Sequence, residues 1–346
     1  MKTKMLLVCF MFVVFFAGLV QAEDANGFLV TGWNGASVTK FSPNGVNLGV
    51  FRAGAANPSG VAEGGGYVYI TQGPHHWIGK YNPVDGNNLS PSSMSTNCVG
   101  GGHGPQGIVY ENGRVYVAAF TLSYLTAFAP DNGVEDGNPA TPSGYFYAAT
   151  TAGPQGVTSA VPNGEPAGTV YYTTAASDGS GALGKWRVEG VEPGTFAPVE
   201  LTNATFPAGS DARGVVAYGG NVYVALYSLN KIVKYSIADQ TVTDFVTGLN
   251  GPYGLGIAAG YLYVAQHNNG LMRAFDLGTG VEKYSFSLGD SPVYFTIRPG
   301  AFVLDPVCTS PIEGDLDGNC KVDLADFATI AANWLKCNLD PQSACE

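Results

Sequence analysis

Charged side chains are scarce in this chain. They make up 12% of its 346 residues, about half of the usual share. Lys and Arg number only 16 together, no basic cluster occurs, and the formal net charge is −11. This balance argues against nucleic acids and anionic membranes as partners. The patterns Gly-x-Ser-x-Gly and His-Glu-x-x-His are also absent, so the sequence offers neither a nucleophile elbow nor a zinc-protease helix.

Long apolar runs are missing except at the N-terminus, where residues 5–20 follow Lys2 and Lys4. A short basic segment, an apolar run and the triplet Val20-Gln21-Ala22 are typical of a secretory signal peptide with a cleavage site. We therefore predict a signal peptide over residues 1–22 and a secreted, extracellular or cell-surface protein. No later run is long enough to span a membrane. Loss of Lys2 and Lys4 would change the net charge from −11 to −13.

Glycine is abundant, with 48 residues, and it punctuates a repeat in the middle of the chain. Each unit opens with a short triplet that usually contains glycine, continues with an apolar strand and a turn, and then has an aromatic-rich strand. The triplets are Pro58-Ser59-Gly60, Pro105-Gln106-Gly107, Pro154-Gln155-Gly156, Ala212-Arg213-Gly214 and Pro252-Tyr253-Gly254. Their spacings of 47, 49, 58 and 40 residues are typical of β-propeller blades with four short strands each.

The two ends of the repeat supply a sixth blade. Pro292-Val293-Tyr294 begins it, with Tyr294 in place of the glycine, and residues 295–304 provide its inner strand. Its outer strands are expected near the N-terminus, from Phe28 to Phe51. The fold class predicted is therefore all-β, a six-bladed β-propeller over residues 23–305 in which both termini close one blade. Over about residues 28–305 the repeat resembles the NHL and gluconolactonase-like propellers, especially in the segment from Tyr263 to Phe275.

Histidines and aromatic residues are predicted to gather on one face of this propeller. The loop that precedes an inner strand and the loop after the second strand open on the same side. This places His75, His76, His103 and His267 together with Arg213 and Tyr253 at the mouth of the channel. Imidazoles could bind a metal there, or they could simply be loop residues. The aromatic side chains could stack on carbohydrate or fill blade interfaces. Arg213 could bind an anion, or pair with Asp211.

A second pattern lies near the C-terminus, where oxygen-bearing side chains recur at positions 1, 3, 5, 9 and 12 of a twelve-residue loop. Position 7 can offer a backbone carbonyl. This spacing surrounds a calcium ion with oxygen ligands, although an acidic solvated tail is the alternative. The ligands would be Asp315, Asp317, Asn319, Lys321, Asp323 and Asp326. An amphipathic helix is predicted directly afterwards, with an apolar docking face formed by Phe327, Ile330, Trp334 and Leu335.

The loop and helix, residues 314–335, resemble one calcium repeat of a type I dockerin. They depart from that family in being single and in having Cys320 at position 6. The resemblance implies calcium as the cofactor, a cohesin-like or cell-surface protein as the partner, and extracellular polysaccharide breakdown as the setting. We predict a linker over residues 306–313 and a dockerin-like module over residues 314–346. A module this small would need staples, and the disulfide candidates are Cys308, Cys320, Cys337 and Cys345.

The pairing of these cysteines stays open. Four cysteines allow three pairings, of which Cys320 with Cys337 and Cys308 with Cys345 is our preference, and Cys98 could displace one partner. The function predicted is a secreted binding protein docked through its calcium module, with a carbohydrate or small molecule as possible ligand of the propeller. One alternative is a metal-dependent lactonase or lyase at the channel mouth. Another is a purely structural surface protein.

Overall fold

The chain folds as a six-bladed β-propeller, as the repeat predicts. The computed structural model describes residues 26–33, 35–55, 57–73, 77–89, 94–95, 104–128, 146–150, 152–187, 201–289 and 291–298, and residues 322, 324, 327 and 331. The strands form six four-stranded antiparallel sheets. Their bounds are β1 Phe28–Gly32, β2 Ser37–Phe41, β3 Asn47–Ala53, β4 Pro58–Gly64, β5 Tyr67–Gln72, β6 Trp77–Tyr81, β7 Met94–Ser95, β8 Pro105–Glu111, β9 Arg114–Ala119, β10 Tyr124–Phe128, β11 Phe146–Ala149, β12 Gly153–Ser159, β13 Thr169–Ala175, β14 Gly181–Arg187, β15 Leu201–Phe206, β16 Ala212–Tyr218, β17 Asn221–Leu226, β18 Lys231–Ser236, β19 Thr241–Val246, β20 Pro252–Ala258, β21 Tyr261–Gln266, β22 Leu271–Asp276, β23 Glu282–Ser287 and β24 Pro292–Ile297.

Five blades are continuous in sequence and one is built from both ends of the repeat. Blade 1 has the strand order β24-β1-β2-β3, and blades 2 to 6 follow as β4–β7, β8–β11, β12–β15, β16–β19 and β20–β23. In blade 1, Val30 pairs with Phe295 and Phe28 pairs with Ile297. This pairing closes the ring. The chain divides into two compact units, Met1–Phe302 and Val303–Glu346. The bounds of the linker and of the C-terminal module remain predictions from the sequence.

Each interface between adjacent blades holds its own hydrophobic cluster, because every sheet is covered on both faces. The second strand of blade 2 illustrates the pattern. Val68 and Ile70 pack toward blade 1, whereas Tyr69 between them packs toward blade 3. Alternate residues of a strand point to opposite faces, so a strand buried on both sides is apolar over most of its length. This explains the run of aromatic and aliphatic residues that marks each unit.

The innermost strands β4, β8, β12, β16, β20 and β24 contact one another in a closed ring around the channel. They begin earlier than the sequence suggested, because the triplets lie inside them and not before them. A β-bulge follows the first residue of the triplet, for example between Pro58 and Val61. Proline is tolerated there because an edge strand does not need every N–H for the ladder. In blade 1 the inner strand likewise begins at Pro292, not at Phe295.

A left-handed residue introduces most of these inner strands. Asn57, Asp211 and Ser291 have φ values of 41°, 48° and 45°, and glycines take the equivalent place before β8 and β20. Asn, Asp and Gly tolerate this conformation better than other residues do. In five of the six blades the sharp turn of the chain into the channel therefore favours glycine or a short polar residue just before the triplet. No helix in the described part of the chain is long and apolar enough to cross a membrane.

Candidate functional site

The loops predicted to share one face do so, and backbone hydrogen bonds join them in pairs. His267 N donates to Gly251 O at 2.8 Å, and Tyr227 N donates to Asp211 O at 3.0 Å. Equivalent bonds link Trp33 to Ser291, Gly73 to Asn57 and Phe120 to Gly104. We call this side, where the inner strands begin, the front face. The opposite side, where the inner strands end, is the back face.

Six residues surround the channel at the front face, one from each blade. They occupy the second position of each triplet, and we call them the mouth ring: Ser59, Gln106, Gln155, Arg213, Tyr253 and Val293. Threonine hydroxyls of second strands donate hydrogen bonds to backbone carbonyl groups of the mouth ring. Thr71 Oγ1 donates to Gln106 O at 2.9 Å and accepts a hydrogen bond from Gly60 N at 2.6 Å. Each such hydroxyl joins its own blade to the next, which fixes the backbone of the ring.

Arg213 is the centre of the polar contacts in the mouth ring. Its Nη2 donates to Asp211 Oδ2 at 2.7 Å, and its Nη1 donates to Gln155 Oε1 at 2.9 Å and to the Tyr253 hydroxyl at 3.0 Å. The guanidinium also lies 5.2 Å from the Tyr253 ring centre and 5.6 Å from that of Tyr227. The predicted pair with Asp211 is present, but contacts with two other blades accompany it.

The electrostatic environment keeps Arg213 charged. Burial by itself would lower its pKa, but the neighbouring Tyr253 and Asp211 outweigh that effect and raise the pKa above its ordinary value. The arginine and Asp211 side chains are 23% and 19% exposed. A guanidinium that is bound on three sides is a rigid positive group whose charge is compensated by one carboxylate.

Two tyrosines close the channel at the front face. The rings of Tyr253 and Tyr294 meet edge to face with centres 5.2 Å apart. The Tyr294 hydroxyl crosses from blade 1 to blade 4, where it donates to Gln155 O at 2.9 Å. Burial raises the pKa of Tyr253 and raises that of Tyr294 well above its ordinary value of 10.0. Both phenols therefore stay neutral and form a plug.

Four buried polar atoms of the mouth ring have no hydrogen-bond partner among the residues that the structure describes. They are Ser59 Oγ, Gln106 Oε1, Gln155 Nε2 and Arg213 Nε. An unsatisfied buried polar atom costs about 1–3 kcal/mol, so such atoms are rare in folded proteins. Their concentration in four consecutive blades of one ring marks the front face as the candidate functional site.

Of the four histidines predicted for this face, the structure describes only His267. His267 lies beside the plug: its Nδ1 is 3.2 Å from Pro292 O, and its ring centre is 5.7 Å from that of Tyr253. His75, His76 and His103 lie outside the described residues, so a histidine cluster remains a prediction. Among the residues that are described, no group of three His, Cys, Asp or Glu side chains could hold a metal.

The aromatic residues of the front face fall into two classes. Tyr253 is only 5% exposed, so it packs in the plug and does not offer a ring surface for stacking. Trp33 and Phe120 are 42% and 40% exposed and are available to a ligand. The alternatives considered from the sequence, blade filling and ligand stacking, therefore apply to different residues of the same face.

The structure describes only part of the predicted C-terminal calcium loop. Its predicted ligands lie outside the described residues: Asp315, Asp317, Asn319, Lys321, Asp323 and Asp326. Ile330, Trp334 and Leu335 of the predicted docking face, the disulfide candidates and the predicted signal peptide also lie outside the described residues. Leu324, Phe327 and Ala331 are helical, and Phe327 is 62% exposed.

The sequence analysis did not select five of the site residues: Ser59, Gln106, Gln155, Val293 and Tyr294. All five were visible within the repeat, at the second or third position of a triplet. Tyr294 carries the clearest signal, since five units have glycine at its position and one has a large aromatic residue. Because the inner strands leave no room between them at this position, a side chain as large as tyrosine has to lie in the channel.

Comparisons with solved structures agree with the β-propeller fold of this chain. No family model matches the sequence, and no curated protein matches it. A chain in the crystal structure of a nidogen/laminin complex superimposes with a TM-score of 0.61 and 14% identity, covering 79% of this chain and 98% of that one. A streptogramin B lyase structure gives a TM-score of 0.50 and 13% identity, covering 68% and 70%. Identities this low establish the fold and not the activity.

Proposed function

We propose that this protein is a secreted binding protein whose propeller presents its front face to a partner or a polysaccharide. A C-terminal, calcium-dependent, dockerin-like module attaches it to a cohesin-like or cell-surface protein. The setting would be extracellular polysaccharide breakdown. The observation that carries the proposal is the exposed Phe327, which directly follows the calcium-loop pattern and belongs to helical residues that begin within that pattern at Leu324.

The exposure of these helical residues supports docking. Leu324 and Phe327 are 83% and 62% exposed in the folded chain, and spacings of three and four residues bring Leu324, Phe327 and Ala331 to one side of a helix. Full burial of one such large side chain contributes about 1.5–3 kcal/mol. A second molecule that covers this stripe would gain that stabilisation.

The front face supports the binding role of the propeller. It combines unpartnered polar atoms in the mouth ring with the exposed rings of Trp33 and Phe120. Polar groups that need partners beside accessible aromatic surface are typical of recognition sites for proteins and sugars. The nidogen/laminin complex contains a chain of the same fold, which is consistent with a propeller that binds protein.

The test is thermal unfolding of the mature protein in EGTA, Ca²⁺ or Zn²⁺, beside the double variant Asp315→Ala/Asp326→Ala. A ligand at 100 times its Kd stabilises the site by about 2.7 kcal/mol, so we expect calcium to raise the Tm of the transition that involves the module. The double variant should lose this increase. Its matched control, Asp239→Ala/Asp244→Ala, removes two propeller carboxylates and should keep it.

Two results would contradict the proposal. The absence of any calcium effect in the wild type would exclude a calcium module. A calcium or zinc effect that survives Asp315→Ala/Asp326→Ala would place a metal in the propeller, and would favour the lactonase or lyase alternative.

A further inference from the structure

The residue that directly follows the second strand lies at the equivalent place on the front face in each blade. In chain order these six residues are Trp33, Gly73, Phe120, Ala176, Tyr227 and His267. Blades 5, 6 and 1 are neighbours in the ring, and each of them has an aromatic side chain at this place. We call Tyr227, His267 and Trp33 the aromatic arc. Its ring surfaces are accessible, since Trp33 is 42% exposed and the other two side chains are partly exposed.

Two asparagines beside the arc present amide donors to solvent. The Tyr227 hydroxyl donates a hydrogen bond to Asn268 Oδ1 at 2.8 Å, and Gly251 N donates to Asn230 Oδ1 at 2.8 Å. A side-chain oxygen that accepts a hydrogen bond identifies the other terminal atom of the amide as the NH2 group. Both asparagines are exposed, and neither Nδ2 atom has a hydrogen-bond partner among the described residues. These two nitrogens are therefore donors that are free to bind a ligand.

His267 adds an acceptor to the arc. Its Nδ1 is 3.2 Å from Pro292 O, and a carbonyl oxygen only accepts, so Nδ1 carries the proton. In the neutral imidazole Nε2 is then an acceptor, and it has no partner among the described residues. The Arg213 guanidinium lies 5.6 Å from the Tyr227 ring centre, which joins the arc to the unpaired donors of the mouth ring, Arg213 Nε and Gln155 Nε2. The arc thus combines ring faces with both donors and acceptors.

The described charges near the arc are compensated within the protein. Arg213 pairs with Asp211 at 2.7 Å, and Lys231 pairs with Asp244 at 2.7 Å. A charged ligand would therefore find no unpaired opposite charge among the described residues of blades 5 and 6, while the transfer of its charge out of water costs free energy. This balance favours an uncharged ligand.

We propose that the aromatic arc binds an uncharged polysaccharide chain. The arc belongs to the front face, so this proposal rests on the binding function proposed for that face and selects one of the two kinds of ligand named there. A sugar ring has an apolar face of C–H groups, which packs on aromatic rings, and hydroxyl groups that both donate and accept hydrogen bonds. Equivalent positions in three adjacent blades offer successive contacts to a linear chain.

The test is isothermal titration calorimetry of the mature protein with three neutral hexasaccharides, cellohexaose, xylohexaose and mannohexaose, and with hexagalacturonate as the charged probe. We expect saturable binding of at least one neutral hexasaccharide and weaker binding of hexagalacturonate. Trp33→Ala removes one ring of the arc and should weaken binding by about tenfold, which corresponds to about 1.4 kcal/mol. Asn268→Asp keeps the acceptor for Tyr227 but removes the amide donor, and should also weaken binding. The matched control, Tyr218→Ala, removes a ring that is 50% exposed at the back-face end of an inner strand and should leave binding unchanged.

Three results would overturn the proposal: no binding of any neutral hexasaccharide, equal or tighter binding of hexagalacturonate, or binding that both Trp33→Ala and Asn268→Asp leave unchanged. If Trp33→Ala does not fold, Asn268→Asp decides the question, because its side chain has the same shape as that of asparagine. The first result would leave a protein as the ligand of the front face.

The variant Asp315→Ala/Asp326→Ala separates this proposal from the calcium module. It should bind the hexasaccharide as the wild type does. Absence of sugar binding together with an intact calcium effect on Tm would refute the arc alone. Sugar binding without any calcium effect would refute the module alone.

Discussion

Replacing Arg213 by methionine should destabilise the propeller much more than an equivalent change on its surface. Arg213 joins three blades through Asp211, Gln155 and Tyr253, with donor–acceptor distances of 2.7, 2.9 and 3.0 Å. Methionine keeps most of the apolar length but none of the donors. It leaves Asp211 without its counter-charge and adds two acceptors to the unsatisfied atoms already present in the mouth ring.

The magnitude follows from the burial of the pair. Removing one partner of a fully buried ion pair costs about 3–5 kcal/mol. The Arg213 and Asp211 side chains retain 23% and 19% exposure, so solvent screening reduces the expected loss to about 2–4 kcal/mol. A loss of 1 kcal/mol lowers the Tm of a domain of this size by about 2–3 °C. We therefore expect Arg213→Met to lower the Tm of the propeller by about 4–12 °C.

The matched control is Lys231→Met in the same blade. Lys231 pairs with Asp244 at 2.7 Å, but these side chains are 25% and 54% exposed, and such a surface pair contributes about 0.5 kcal/mol or less. Arg213→Lys keeps the charge but loses the planar fork, so its effect should be intermediate. Urea unfolding of the four proteins measures the differences. If Arg213→Met is no less stable than Lys231→Met, the argument that the mouth ring is a structural unit is refuted.

Two further predictions concern the backbone and the plug of the channel. Gly214→Ala should cost about 1–3 kcal/mol, because the new methyl group would overlap the carbonyl oxygen of Tyr253 in the next blade. Gly73→Ala is the control, since its methyl group would be 3.6 Å from Ser59 Oγ, and equal Tm values would contradict this account. Because burial raises the pKa of Tyr294 well above 10.0 in the folded state, its contribution is complete below pH 10 and is lost as the pH rises further. The unfolding free energy of the wild type should therefore decline between pH 9 and 11 in urea titrations, and Tyr294→Phe should make this decline less steep by up to about 1.4 kcal/mol per pH unit. An unchanged slope would refute this assignment to Tyr294.

The number of blades was predictable because it depends on a pattern that repeats. Each unit has a sharp turn into the channel and a second strand that is buried on both faces. The triplets that mark the turns and the apolar runs that mark the second strands recur along the sequence at blade spacing. The closure of blade 1 followed from counting strands at the two ends, and the pairing of Val30 with Phe295 confirms it. The start of each inner strand was misplaced, because a β-bulge lets proline and glycine lie inside an edge strand.

The contacts of the mouth ring were predictable only where they are local in sequence. Asp211 and Arg213 are two residues apart, and their ion pair was among the alternatives considered. The other partners of Arg213 lie 58 and 40 residues away, and Tyr294 reaches an oxygen 139 residues away. Such contacts depend on how six blades meet around one axis, which no single unit of the repeat encodes.

The two ends of the channel differ because one unit of the repeat departs from the others. Five triplets have glycine in the third position, where the inner strands approach one another closely, and the sixth has Tyr294. Its side chain fills the channel at the level of the mouth ring and contacts Tyr253 and Gln155. The same ring lines the cavity that continues along the channel. A single tyrosine thus separates the mouth ring, where atoms without a partner among the described residues lie, from the rest of the channel.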